Sequence, residues 1–216
     1  MSKPIRFFFA LFNRIRRLGN LLRWLPVYLR FCLKGSKRCF NIFTHLTKIE
    51  RLLLYNLGLQ IPHKGVIVEI GSYLGGSSTF LSLAARSKGG MLYCIDTWKN
   101  EGMTEGKRDT FEEFCKNIES VKDYITPLRG YSTDIAKTFE KKIDLLFIDG
   151  GHSYEDVKDD VEAWFPKVKD GGIVVFHDIG WAEGVIRVVN EFVKPIQIEA
   201  KGHIVDNTYW ARIKKK

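Results

Sequence analysis

The residues best suited to chemistry stand at the ends of short apolar runs. Glu69 lies near the end of residues 66–70, Asp96 follows 91–95, and Tyr131 follows 125–128. Asp149 follows 143–148, and His177 with Asp178 follows 173–176. Runs of this length and character read as buried strands of a parallel sheet. Polar residues gathered at the carboxyl ends of such strands mark the edge where open α/β sheets take ligands. Asp149, His177 and Asp178 are the reaction candidates. Two carboxylates and an imidazole can hold a hard divalent cation; magnesium suits the oxygens best, and manganese also tolerates the nitrogen. Such a cation orients two substrate oxygens and lowers the pKa of a hydroxyl. His177 could instead serve as a general base, and His152 could do so from the neighbouring loop. Either histidine alone reads equally well as a hydrogen-bonded loop residue; the group carries the signal.

The first run leads into Gly71, Gly75 and Gly76, and an apolar-periodic helix follows over 77–86. Strand, glycine turn and helix start let a nucleotide-like ligand approach the backbone. The order here is G-S-Y-L-G-G, not the G-x-G-x-x-G of a dinucleotide site. Glu69 beside the turn would repel a phosphate; it suits organising the turn or meeting the cationic end of a ligand. Asp96, at the end of the second run, can accept two hydrogen bonds from the hydroxyls of a ribose. Gly130, Tyr131 and Ser132 end the third run, where a base edge would lie, with Tyr131 free to stack or to pack.

Strands and helices alternate from residue 61 onward. Strands are expected at 66–70, 91–95, 125–128, 143–148 and 173–176, with Gly171 and Gly172 as a turn. Helices are expected at 77–86, 110–117, 133–139, 154–165 and 183–193, the fourth capped by Ser153. Residues 196–200 and 208–213 read as a closing hairpin. The fold class is therefore α/β, a three-layer sandwich over a seven-stranded, mostly parallel sheet with a C-terminal antiparallel hairpin.

Residues 1–60 read as a separate helical arm and 61–216 as the catalytic domain. The chain of 216 residues has a net charge of +9, yet residues 1–49 carry eleven basic side chains and no acid. The remainder is close to neutral, which argues against a broad nucleic-acid face. Ile5, Phe8, Phe12, Ile15, Leu18, Leu22, Leu25 and Leu29 fall on one helical face flanked by arginines. Such a helix can lie on an anionic membrane, pack on this chain or a partner subunit, or act as a targeting segment. No run approaches the length of a membrane span. Cys32, Cys39, Cys94 and Cys115 lack metal or dithiol spacing, which fits a reducing, cytoplasmic compartment, with the arm at the inner membrane surface if it binds lipid.

Over residues 60–213 the pattern resembles the class I S-adenosylmethionine-dependent methyltransferases, with a Rossmann-like sheet. The residues that carry it are EIGSYLGGSS at 69–78, Asp96, FIDGGHSYEDVKDDVEAW at 147–164 and GGIVVFHD at 171–178. The last two resemble the branch of macrocin-type sugar O-methyltransferases and cephalosporin hydroxylase-like proteins. The resemblance implies an S-adenosylmethionine pocket shaped by Glu69, Gly71, Ser72 and Gly75. Asp96 would sit on the ribose, Gly130 to Ser132 beside the adenine, and Asp149 next to the reacting centre. It implies Asp149 and Asp178 as divalent metal ligands, with His177 where relatives place another acid. The implied reaction is transfer of a methyl group to a hydroxyl of a sugar or related small molecule, with Mg2+ or Mn2+ as a possible aid. Residues 97–109 and 179–184 would flank the acceptor, with Trp98, Arg108 and Trp181 as contacts. A homo-oligomer is compatible with all of this. The competing readings are an NAD-linked oxidoreductase, which needs the glycine pattern missing here, and a non-enzymatic membrane-associated protein that keeps the fold. An RNA methyltransferase ranks low, because Asp149-Gly150-Gly151-His152 stands where an N-P-P-Y-like motif is expected.

Overall fold

The computed structural model describes residues 24–33, 37–101, 106–198 and 203–215. The chain divides into two compact units, residues 1–38 and 39–216. In the first, residues 24–33 form a helix, α1. The rest of the amphipathic pattern expected over residues 5–22 lies outside the described residues.

The second unit carries α2 (Lys48–Gly58), β1 (Val66–Ile70), α3 (Ser78–Ser87), β2 (Met91–Asp96) and α4 (Phe111–Ile118). It continues with β3 (Ile125–Arg129), α5 (Ser132–Thr138), β4 (Ile143–Ile148), α6 (Tyr154–Trp164) and β5 (Val168–Phe176). It closes with α7 (Glu183–Val188), β6 (His203–Val205) and β7 (Thr208–Arg212). The seven strands lie in the order β3-β2-β1-β4-β5-β7-β6. β1 to β5 pair in parallel, whereas β7 runs antiparallel to both β5 and β6. This is the expected Rossmann-like sheet with its antiparallel end.

Strand alternation divides the core. Val68, Ile70, Leu146 and Ile148 join Val157, Val161 and Trp164 of α6 and Val185 and Val188 of α7. Ile67, Leu92, Leu145 and Phe147 alternate with these and are equally buried. α2 and α3 pack so closely on that other face that a Cβ at Gly58 would come 2.6 Å from the Ala84 Cβ. All six residues of β4 are buried, including Asp144. Its carboxylate is matched by Lys169 Nζ at 2.8 Å and by the Val66 N–H at 2.8 Å. β3 is an edge strand and accommodates Pro127, which has no N–H to give.

α2 buries Leu52, Leu53, Leu54 and Leu57 within the second unit, which starts at Cys39. Three sequence expectations change. Gly171 and Gly172 lie inside β5, where the pairing with β4 shifts register, so that strand starts at Val168. The helix expected over 183–193 is α-helical only to Val188, and Val189–Val193 winds as a π-helix. The sixth strand is His203–Val205; in the stretch expected to hold it, Gln197 makes one antiparallel bridge to Ile213.

Candidate functional site

The ladder of parallel hydrogen bonds runs one residue past each strand. The Gly71 N–H donates to Ile95 O, Asp149 N–H to Ile70 O, His177 N–H to Ile148 O and Gly130 N–H to Asp96 O. β1, β3, β4 and β5 therefore deliver the residues that follow them to one edge. Gly71 has φ +85°, and a Cβ there would lie 2.0 Å from Asp149 O, so only glycine lets the turn pass this close to β4.

Glu69 is fully buried beneath the turn. Its Oε2 accepts from Ser72 Oγ at 2.8 Å, from Ser78 Oγ, and from Cys94 Sγ at 3.3 Å. Burial pushes its pKa up, against the pull of these hydroxyls. Asp96 Oδ2 accepts from the Tyr73 N–H at 2.8 Å and Oδ1 from the Trp98 N–H at 2.7 Å. One carboxylate thus fixes two residues that both have positive φ, +44° and +51°. The Thr97 and Ser72 N–H groups also act on this carboxylate, and all four backbone donors pull its pKa down against the stronger effect of burial.

Among the described residues, a pair of adjoining cavities opens on this edge. The first, about 550 Å³, is lined by Gly71, Asp96, Gly130, Tyr131, Ser132 and Asp149, among others. The second, about 510 Å³, is lined by Ser72, Tyr73, His152, His177, Asp178 and Trp181, among others. Gly71, Tyr73, Asp149, Gly150 and His152 belong to both. Glu69 and Gly75 line neither; they support the turn from behind, Gly75 against Phe114 and Ile118.

The charged group lies where the cavities meet. His152 Nε2 is 2.8 Å from Asp178 Oδ2. His177 Nδ1 is 3.1 Å from Asp149 Oδ1 and 3.2 Å from Asp178 Oδ1. On its other side, His177 Nε2 lies 3.5 Å from Glu50 Oε1, an ion-pair distance without hydrogen-bond alignment. Burial alone would lower the His177 pKa, but three surrounding carboxylates push it up to about 12. These carboxylates favour the charged form of the ring. Asp178 is desolvated by burial, yet its two histidine neighbours hold it well below the usual carboxylate range. Burial raises Asp149. His152 rises above the ordinary histidine value through its bond to Asp178. Asp149, His152 and Asp178 can each turn a ligand atom inward, all within 4.8 Å of one another. Two carboxylates and one imidazole form a donor set that fits Mg2+ or Mn2+.

Of the three residues expected to flank an acceptor, only Trp181 faces a cavity, and it is 63% exposed. Trp98 is fully buried against Phe111 and Phe114, with its Nε1–H donated to Tyr73 O at 2.9 Å. Arg108 pairs with Glu113 at the surface. Sequence reasoning missed Glu50, Asn207 and His45. The signal for Glu50 was present as T-x-x-E at 47–50, which forms a capping box at the start of α2.

Residues 68–179 match the family model described as a methyltransferase domain. An uncharacterised protein of Acanthamoeba polyphaga mimivirus is 33% identical over 164 residues, covering 73% of this chain and 72% of that protein. An uncharacterised protein of Sinorhizobium fredii is 32% identical over 117 residues, or 52% of this chain but only 13% of its own length. Among solved structures, the fold is similar to the O-methyltransferase TomG from Streptomyces achromogenes, solved with SAM. There the TM-score is 0.60 at 17% identity, over 79% of this chain and 82% of that one. A TDP-rhamnose 3'-O-methyltransferase of calicheamicin biosynthesis gives 0.56 at 17%, over 76% and 77%. A cofactor-bound protein from MTB gives 0.64 at 16%, over 88% and 91%. Among the described residues, no helix is long and apolar enough to cross a membrane.

Proposed function

Because this chain belongs to the methyltransferase-domain family, we propose that it transfers the methyl group of S-adenosylmethionine to a hydroxyl of a sugar or related small molecule, aided by a divalent cation. The observation that carries this reading is the meeting of two cavities at Gly71, Asp149 and His152. One cavity has the features of a nucleoside site: a glycine turn, a carboxylate at the end of β2, and Tyr131 with Ser132 beyond it. The other holds the charged group and an exposed tryptophan. TomG and the rhamnose methyltransferase share the fold, and both are named as O-methyltransferases.

When bound, S-adenosylmethionine supplies an electrophilic methyl group for in-line attack by the acceptor oxygen. The chain's part is alignment. Asp96, which lines the first cavity, takes ribose hydroxyls, and the Gly71 turn lets the ligand lie against backbone. Trp181 offers an exposed ring face to the apolar face of a sugar. Asp149, His152 and Asp178 would hold the cation, whose chemistry is to lower the pKa of the acceptor hydroxyl. The His177 Nδ1 atom lies between Asp149 and Asp178 and ties the two carboxylates together.

A second reading of the same cluster rests on the 2.8 Å contact between His152 and Asp178. There Asp178 orients the ring, and the other His152 nitrogen takes the acceptor proton. Attachment of the basic arm to an anionic membrane is supported by the sequence of residues 1–30 alone. The test of the main reading is release of S-adenosylhomocysteine when the protein meets S-adenosylmethionine, Mg2+ and a panel of nucleotide sugars. Release with no member of the panel, nor with simple phenols, contradicts it.

A further inference from the structure

We infer that Glu50 is a positioning residue for Asp178, acting through the turn between β6 and β7; the importance of Asp178 rests on the methyl-transfer reading above. Glu50 is 1% exposed, and its two oxygens have separate tasks. Oε2 accepts the Thr47 N–H at 2.8 Å and completes the cap of α2. Oε1 takes no part in the cap. It accepts the Asn207 N–H at 2.8 Å and Thr208 Oγ at 3.0 Å, contacts that span more than 150 residues of chain. Thr47 Oγ adds a bond to Asp206 Oδ2 at 2.9 Å, so both ends of the capping box grip the same turn.

That turn reaches the site through one side chain. Asn207 Nδ2 donates to Asp178 Oδ1 at 2.6 Å, while Asn207 Oδ1 accepts the Gly180 N–H at 2.7 Å. Ile179 N–H donates to Asn207 O at 3.2 Å, which ties the loop after β5 to the turn again. Asp178 Oδ1 also receives Trp181 Nε1–H at 2.7 Å. With Oδ1 held by these donors, Oδ2 is directed to His152. Asp178 itself has φ +60°. The orientation of this acid is thus set both from its own loop, through Trp181, and from the β6–β7 turn, through Asn207. Helix capping alone accounts for Oε2 and leaves the donors on Oε1 unexplained. A buried carboxylate without donors is costly, and here the donors are the turn that carries Asn207.

The test is a 1H–15N spectrum of the full chain, reading the Trp181 Nε1–H and Asn207 Nδ2–H2 signals, assigned with Trp181→Phe and Asn207→Ser. In Glu50→Ala both signals move to the positions of solvent-exposed indole and carboxamide. In Glu50→Gln, whose Oε1 still accepts from Asn207 and Thr208, they stay at the wild-type positions. Thr208→Val removes one of the two donors and is the milder arm: it moves both signals in the same direction as Glu50→Ala, and it decides if Glu50→Ala does not fold. Unmoved signals in folded Glu50→Ala, or in Thr208→Val, overturn the inference. So does a Glu50→Gln shift as large as that of Glu50→Ala, which would assign the effect to charge beside His177. Calorimetry with S-adenosylmethionine on the same samples separates the two layers. Absence of binding in the wild type overturns the methyl-transfer reading alone, and the indole signal still decides the link.

Discussion

His152 Nε2 and Asp178 Oδ2 lie 2.8 Å apart at the point where the two cavities join. The pair either completes a cation site with Asp149 or works as an oriented base. His152→Ala should cut methyl transfer by roughly 10²–10⁴-fold while leaving S-adenosylmethionine affinity intact. Initial rates and calorimetry on one preparation check both halves. EDTA should suppress transfer, and Mg2+ or Mn2+ should restore it; activity that persists in EDTA assigns proton removal to His152.

Gly71 offers a test of the turn. Its φ of +85° costs an L-residue roughly 1–2 kcal/mol. The added methyl group would also sit 2.0 Å from Asp149 O. Gly71→Ala should lose more than about 2 kcal/mol in denaturant unfolding. It should also lose cofactor binding, because β4 must move to make room.

Glu50 and His177 should bound stability at opposite ends of the pH range. Burial alone would raise the Glu50 pKa, but His177 and the donors on its oxygens hold it at about 2 against an ordinary 4.5. The folded value lies below the unfolded one. Its contribution, at most roughly 3 kcal/mol, is therefore complete above the ordinary value and lost as pH falls toward about 2. His177 has the opposite sign. Its contribution is complete below an ordinary 6.5 and is lost as pH rises toward about 12. Urea unfolding across a pH series should show a broad plateau with an acid limb that is shallower in Glu50→Gln.

The two candidate tryptophans should separate cleanly. Trp98→Ala empties a fully buried site and should cost roughly 3–5 kcal/mol. Trp181→Ala removes an exposed ring and should change stability by less than about 1 kcal/mol, while raising the KM of the acceptor. Thermal unfolding and steady-state rates distinguish them.

Much of this was legible in the sequence because the parallel sheet writes itself as apolar runs. Each run ends in the residue it delivers to the site, which is how Asp96, Asp149 and Asp178 could be named together. Side-chain direction could not be read the same way. His177 and His152 are similar residues near two strand ends. Only the packing of Glu50 and Asp149 around His177 shows that one ring is buried among carboxylates and the other faces both cavities. Glu50 and Asn207 escaped notice because their partnership depends on long-range contact, and local periodicity does not report which distant turn meets a helix start. Trp98 was misassigned for a related reason. A tryptophan in a polar loop reads as exposed, yet here Asp96 pulls its backbone inward and Phe111 and Phe114 cover it.

The most direct test of the central claim is calorimetric titration of the wild-type chain and of Asp96→Ala with S-adenosylmethionine. The account predicts saturable one-site binding to the wild type, weakened by at least about tenfold in Asp96→Ala, a loss of about 1.4 kcal/mol or more. No detectable binding to the wild type at millimolar cofactor, or equal affinity in the two proteins, would contradict it.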